Sequence, residues 1–242
     1  VARHFLGSID STNAEAARMA PELAGTAWIL AGEQTGGRGR RGRPWVSPRG
    51  NFHATLVMRP KGPPGELALR SFVAALALRD ACVALTGLPD AFTLKWPNDV
   101  LLNGGKLAGV LLESQGQGGK IGYLAIGIGI NLIAAPVPEQ LEPGAQTPVS
   151  LLAETGKRVL PEHFLDALAP AFARWETALN DYGFAPLRNA WLAHATRLGQ
   201  PIRARTGQDV HVGIFETIDM QGALILQTAS GRLAIPAADV FF

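Results

Sequence analysis

A chain of 242 residues is long enough to bury a full hydrophobic core and suits one large domain with a small appendage better than two equal halves. With 47% hydrophobic and 17% charged residues it is not a disordered polypeptide. The formal net charge is only +2, yet seven Lys and Arg residues lie between Gln34 and Gly65 without one acid, so the local field there is strongly positive.

Cys82, the single cysteine, excludes an internal disulfide, and its apolar surroundings argue against a metal cluster. The histidines at 4, 53, 163, 194 and 211 fall into no zinc-ligand spacing, so no structural metal is expected. The uncharged run Ile121 to Pro138 is broken by Gly122, Gly127, Gly129, Asn131 and Pro136 and reads as a buried strand and a loop, not a membrane span. Val1 to Asn13 lacks the apolar core of a secretory signal. A cytoplasmic setting is expected, with no membrane partner.

Thr12 and Glu15 have capping-box spacing, which predicts a helix from near Asn13 to before Pro21. Thr26 to Ala31 reads as a buried strand leading into the Gly- and Arg-rich loop from Gln34 to Gly50. Asn51 to Arg59 alternates as a second strand, and Arg70 to Leu85 is a buried helix. A short strand is expected over Thr93 to Trp96. Val100 to Leu102 and Leu107 to Leu112 are joined through Asn103, Gly104 and Gly105, a strong hairpin signal. Tyr123 to Asn131 is an interior strand. After a Pro- and Gly-rich loop come helices over Pro161 to Tyr182 and about Pro186 to Ala195. Mixed hairpins and helices favour an α+β domain over residues 1–196. Beyond it, short strands at Ile202 to Thr206, Asp209 to Ile218, Ala223 to Thr228 and Arg232 to Ile235 suggest a small β-barrel over 197–242.

Four motifs could carry chemistry. In GRGRRGRPW, Gly37 to Trp45, the glycines at 37, 39 and 42 satisfy G-x-G-x-x-G after a strand, but Pro44, Pro48 and Gly50 follow where a dinucleotide-binding turn must open a helix. The remaining reading is a flexible loop whose closely spaced arginines repel one another until a phosphate-bearing ligand supplies the missing anion; a solvated basic loop or a nucleic-acid contact is the competing reading. KWPND, Lys95 to Asp99, precedes KLAGVLLE, Lys106 to Glu113, where Lys106 opens a strand and either reaches a pocket or lies on the surface. GIGIN, Gly127 to Asn131, admits close approach by a ligand or by another backbone. STN, Ser11 to Asn13, is a ligand contact or simply the helix cap.

In this order, STN, Gln34 with GRGRRGRPW, KWPND, KLAGVLLE and GIGIN resemble the biotin–protein ligase family over essentially the whole chain, and Gly213 to Leu226 resembles the family's SH3-like C-terminal domain. The resemblance implies a class II synthetase-like mixed sheet with helices, adenylation of biotin by ATP to biotinyl-5'-AMP, and transfer of biotin to a lysine of a biotin carboxyl carrier protein. It places Ser11, Thr12, Asn13, Gln34, Gly37, Arg38, Lys106, Gly109 and Gly129 at biotin, and Arg38, Gly39, Arg40, Trp45, Lys95, Asn98, Asp99 and Asn131 at the adenylate. Lys106 and Arg40 would neutralise two anionic reactants, Asp99 would orient Arg40 or Lys95, and Trp45 would cover the ligand once the loop closes. Mg²⁺ would be held largely by the phosphates. STN begins ten residues from the start, so no operator-binding domain and no specific DNA binding are expected; a homodimer through sheet edges is left open. Competing functions are a lipoate or octanoate ligase or transferase, and a nucleic-acid-binding module.

Overall fold

The computed structural model describes residues 1–60, 64–117, 120–137 and 146–242. Lys61 and residues 138–145 of the Pro- and Gly-rich loop expected after Asn131 lie outside them. The described elements are β1 Ala2–Ile9, α1 Thr12–Met19, β2 Ala27–Gln34, β3 Phe52–Met58, α2 Arg70–Thr86, β4 Phe92–Lys95, β5 Asp99–Leu102, β6 Gly105–Gln117, β7 Lys120–Ile130, α3 Leu151–Thr155, α4 Pro161–Tyr182, α5 Phe184–Leu192, β8 Pro201–Thr206, β9 Asp209–Ile218, β10 Leu224–Thr228, β11 Gly231–Ile235 and β12 Asp239–Phe241. Among the described residues, seven strands form a mixed sheet in the order β1-β2-β3-β7-β6-β5-β4 and five form a second sheet in the order β11-β10-β9-β8-β12. Only β1 and β2 run parallel within them. The expected α+β class is what the chain adopts.

The large sheet has two unlike faces because side chains alternate along each strand. Phe52, Ala54 and Leu56 of β3, Ile126, Ile128 and Ile130 of β7 and Val110 of β6 point to one side and share a core with α2 and α4. Phe164 of α4 lies 5.2 Å from Phe52, ring to ring, and Phe172 lies 6.1 Å from Trp28. Helix α2 is buried nearly all round, and Gly87 closes it in the left-handed region at φ 75°, its N–H on the Val83 carbonyl. On the opposite face Ala16 of α1 and Ala20 at its end pack against Ile29, Val57 and Ala125. The remainder of that face carries His53 and Thr55, Gly127 and Gly129, and Gly109, Leu111 and Glu113 in three adjacent strands.

The β5–β6 turn forms as expected, Asn103 and Gly104 taking φ 49° and 83° as a type I′ hairpin demands. Three expectations are corrected. The Thr12–Glu15 capping box does not form: Ser11 is the N-cap residue, and the Thr12 hydroxyl is turned to Gln34 and Thr55. Strand β3 alternates in sequence yet is buried at every position, because α4 covers one face and α1, with Pro48, the other. Strand β2 extends past Ala31 to Gln34, so Gln34 sits on rigid backbone and not in the loop. Strands β1 and β12 and helix α3 were not legible in the sequence.

The second sheet joins the same continuous core through Ile202, Phe215 and Leu224, with Trp191 of α5 between it and Phe72. Trp96 also donates its indole N–H to the Gly222 carbonyl at 2.9 Å. These contacts set β12 against the open face of the large sheet.

Candidate active site

On that open face lies a cavity of about 270 Å³, lined from α1, the arginine loop, the 95–99 turn, β6, β7 and β12. Every residue expected at biotin or the adenylate except Gly37 lines it: Ser11, Thr12, Asn13, Gln34, Arg38, Gly39, Arg40, Trp45, Lys95, Asn98, Asp99, Lys106, Gly109, Gly129 and Asn131. Gly37 stands behind the wall, where a Cβ would meet Ser47 Oγ and the Trp45 carbonyl, each at 2.6 Å.

A chain of hydrogen bonds runs along one end. Gln34 accepts the Thr12 N–H at 2.8 Å and donates to Ser47 Oγ at 2.9 Å, and Ser47 donates to the Trp45 carbonyl at 3.1 Å. Thr55, fully buried in β3, lies 2.8 Å from Thr12 Oγ1 and donates to Asn13 Oδ1 at 2.6 Å. Asn13 in turn donates to Glu113 at 2.7 Å. Gly127 is the reason Asn13 fits, since a Cβ there would lie 2.4 Å from Asn13 Oδ1. Ser11 has extended backbone at the helix start and its hydroxyl caps nothing.

The cationic end is built from the hairpin. Lys106 lies 2.8 Å from Asp99 and 5.7 Å from the centroid of the Trp45 ring. Asp99 stands opposite Lys95 in the β4–β5 pairing and its charge acts on both Lys95 and Arg40, while its carboxylate bonds Lys106, which the register shift between Val100 and Leu101 brings to the same face. Lys95 is buried, 3.3 Å from Gln146 and 4.7 Å from the Phe242 ring centroid, and burial pulls its ammonium below the usual lysine range. Asn98 donates its side-chain amide to the Val110 carbonyl and Asn131 to the Val149 carbonyl, so both fix backbone around the cavity.

The arginine loop is a small hairpin, with Arg38 bridged to Pro44 and Gly39 N–H on the Arg43 carbonyl at 2.7 Å. Its glycine spacing resembles a dinucleotide turn, but β3 follows it and no helix does. The expectation that these arginines lack an anion is corrected too. Asp239 of β12 accepts from Arg41 at 2.7 Å and Arg43 at 2.6 Å and lies 3.4 Å from Arg205, while Glu113 holds Arg38 at 3.3 Å. Both acids are remote in sequence from the loop, so local composition hid them. Among the described residues Arg40 is the loop arginine with no carboxylate in bonding distance; it donates to the Ala238 carbonyl at 3.2 Å, and burial pulls its guanidinium below the usual arginine range.

Trp45 rests on the glycine floor. A Cβ on Gly129 would lie 2.4 Å from its Nε1, and one on Gly109 3.4 Å from its Cζ3. That Nε1 is buried with no hydrogen-bond partner among the described residues, an arrangement that buried donors rarely keep.

Thr55, Ser47, Glu113 and Asp239 were missed as site residues. Only Thr55 left a signal: with His53 it is a polar residue at alternate positions of an apolar strand, marking one face as different.

Residues 6–131 match the model of the biotin/lipoate A/B protein ligase family, and 198–242 match the biotin protein ligase C terminal domain. The chain is 60% identical over 238 residues to a biotin–[acetyl-CoA-carboxylase] ligase of Paracoccus denitrificans, covering 98% of this chain and 99% of that one. It is 33% identical over 215 residues to the bifunctional ligase/repressor of Bacillus subtilis, covering 88% of this chain but 65% of that relative's length. A solved biotin protein ligase from Aquifex aeolicus, in complex with biotin and ATP, superposes with a TM-score of 0.84 at 25% identity over 99% of this chain and 98% of that one. The chain belongs to the biotin/lipoate A/B protein ligase family.

Proposed function

We propose that this chain is a biotin–protein ligase: it condenses biotin with ATP to biotinyl-5'-AMP and pyrophosphate, then transfers biotin to a lysine of a carboxylase carrier protein. The observation that carries this reading is a cavity with a neutral hydrogen-bonding end, a glycine floor and a cationic end formed by Lys106, Lys95 and Arg40. An amphiphilic acid with a polar ring and a carboxylate at the far end of an aliphatic tail suits that gradient. Ser11, Thr12 and Gln34 would meet the ring, Gly109 and Gly129 the tail, and Lys106 the carboxylate.

A carboxylate oxygen attacks the α-phosphorus, the bond to the bridging oxygen breaks, and pyrophosphate leaves. Both partners are anions, so fixed cations lower the cost of approach and of the charge that builds in the transition state. Lys106, oriented by Asp99, is placed for that work; Arg40 neutralises phosphate. The acceptor's amine then attacks the anhydride carbonyl and AMP departs, so no protein nucleophile is required. Mg²⁺ would enter with the triphosphate: among the described residues no group of three His, Cys, Asp or Glu side chains could hold it, and Asp99 is committed to Lys106. Trp45 must leave the glycine floor for the tail to lie there, and its unpartnered indole N–H loses nothing by moving. Residues 1–196 would carry the reacting groups and 197–242 the Asp239 anchor. No helix is long and apolar enough to cross a membrane among the described residues; use of ATP and a single buried thiol support a cytosolic setting. The nucleic-acid reading loses its basis, because four of the five loop arginines already hold carboxylates.

Biotin-dependent exchange of labelled pyrophosphate into ATP tests the reading, with lipoate as control. Exchange with biotin and none with lipoate is expected; no exchange with biotin overturns it.

A further inference from the structure

Glu113 lies on the site face of β6, four residues beyond Gly109, and outside the cavity lining. It touches two things at once. One carboxylate oxygen accepts the Asn13 side-chain amide at 2.7 Å, and both oxygens stand 3.3 Å from Arg38 Nη2 at the root of the arginine loop. Asn13 is buried, and its other end is pinned by the Thr55 hydroxyl. We propose that Glu113 is a positioning residue that couples occupancy of the cavity to closure of the arginine loop, acting through Arg38.

The exposures supply the mechanism. The Arg38 and Glu113 side chains are 40% and 38% exposed, so in the open site water screens the pair and it holds the loop weakly. A ligand laid across Gly127 and Gly129 displaces that water, lowers the local dielectric and strengthens the attraction without moving either group. The buried Asn13 contact keeps the carboxylate at its post meanwhile. Filling the cavity therefore tightens the loop root, and by reciprocity a tight root holds the ligand.

The inference rests on the biotin reading of the site, and two measurements separate their failures. Glu113→Gln keeps an oxygen for Asn13 but removes the charge and turns N–H groups toward the guanidinium. In ligand-free protein, trypsin should nick the loop at Arg40 or Arg41 about twofold faster in E113Q than in wild type, because nicking tracks the population of the open form. Equal rates would overturn the tie whatever the ligand. Biotin Kd should rise about threefold to tenfold in E113Q and in R38Q, and the double variant should bind no more weakly than R38Q alone. Multiplying fold-changes, or E113Q binding biotin like wild type, would overturn the coupling. A wild-type chain that binds no biotin would sink the functional reading, with the nicking experiment still deciding the tie. Thermal melts of all three variants exclude simple unfolding as the cause of faster nicking.

Discussion

Arg43 donates to Asp239 at 2.6 Å although 196 residues of sequence separate them. The contact fastens the tip of the arginine loop to the last strand of the small sheet, and Arg41 joins it at 2.7 Å. Burial raises the Asp239 pKa, but the hydrogen bond and charge of Arg43, with the charge of Arg41, outweigh it and hold the carboxyl below its ordinary 3.8. A carboxyl depressed by folding adds stability above its unfolded value and loses it as pH falls through the folded one. The clasp is therefore intact at neutral pH and released in acid. Asp239→Asn should cost about 1–2 kcal/mol at pH 7, after allowing for screening at the half-exposed guanidiniums. Calorimetric melts from pH 7 down to pH 3 check this: the gap between wild type and variant should shrink with acid, and a constant gap would refute the assignment.

Lys106 and Asp99 pair at 2.8 Å at the cationic end of the cavity, where the proposed function would put the reacting carboxylate. Lys106→Ala removes a cation where charge develops and should slow adenylate formation by about 10²–10³-fold. Asp99→Asn leaves the ammonium but loosens its aim, with an expected loss of about tenfold. Single-turnover formation of biotinyl-AMP reads both, and a rank order reversed from this one would transfer the main role to Asp99.

Thr55, on the site face of β3, holds Thr12 and Asn13 of the helix above it. Thr55→Val is nearly isosteric but strands Asn13 Oδ1 without its donor, at a cost of about 1–3 kcal/mol. Chemical denaturation should show that loss together with a raised Kd for biotin. Unchanged biotin affinity would make Thr55 a residue of stability alone.

At Gly129 an added methyl falls 2.4 Å from Trp45 Nε1. Gly129→Ala should push the indole off the floor and obstruct the biotin tail. Weakened biotin binding is expected, with stability lowered by about 1–3 kcal/mol through overpacking. Trp45→Ala should leave biotin binding intact while speeding escape of the adenylate, measured by filter trapping of labelled biotinyl-AMP. If Trp45→Ala instead abolishes biotin binding, the indole is part of the biotin site and not its cover.

What could be read from sequence followed from local rules. The β5–β6 hairpin rests on Asn103 and Gly104, helix α4 on apolar spacing between Pro161 and Tyr182, and the cluster of site residues on motifs that keep their order along the chain. The remaining features needed distant partners. Strand β12 is three residues with no pattern of its own and exists because β8 pairs with it. Thr12 looked like a helix cap, yet Gln34 and Thr55 compete for its hydroxyl across the sheet. Asp99 stands opposite Lys95 in the β4–β5 ladder, but the carboxylate's ion pair is with Lys106, brought to the same face by a register shift between β5 and β6 that no local rule announces. The arginine loop appeared to be a run of uncompensated charge. Folding brings it Asp239 and Glu113 from far along the chain, because electrostatic attraction acts through space and sequence distance sets no limit on it.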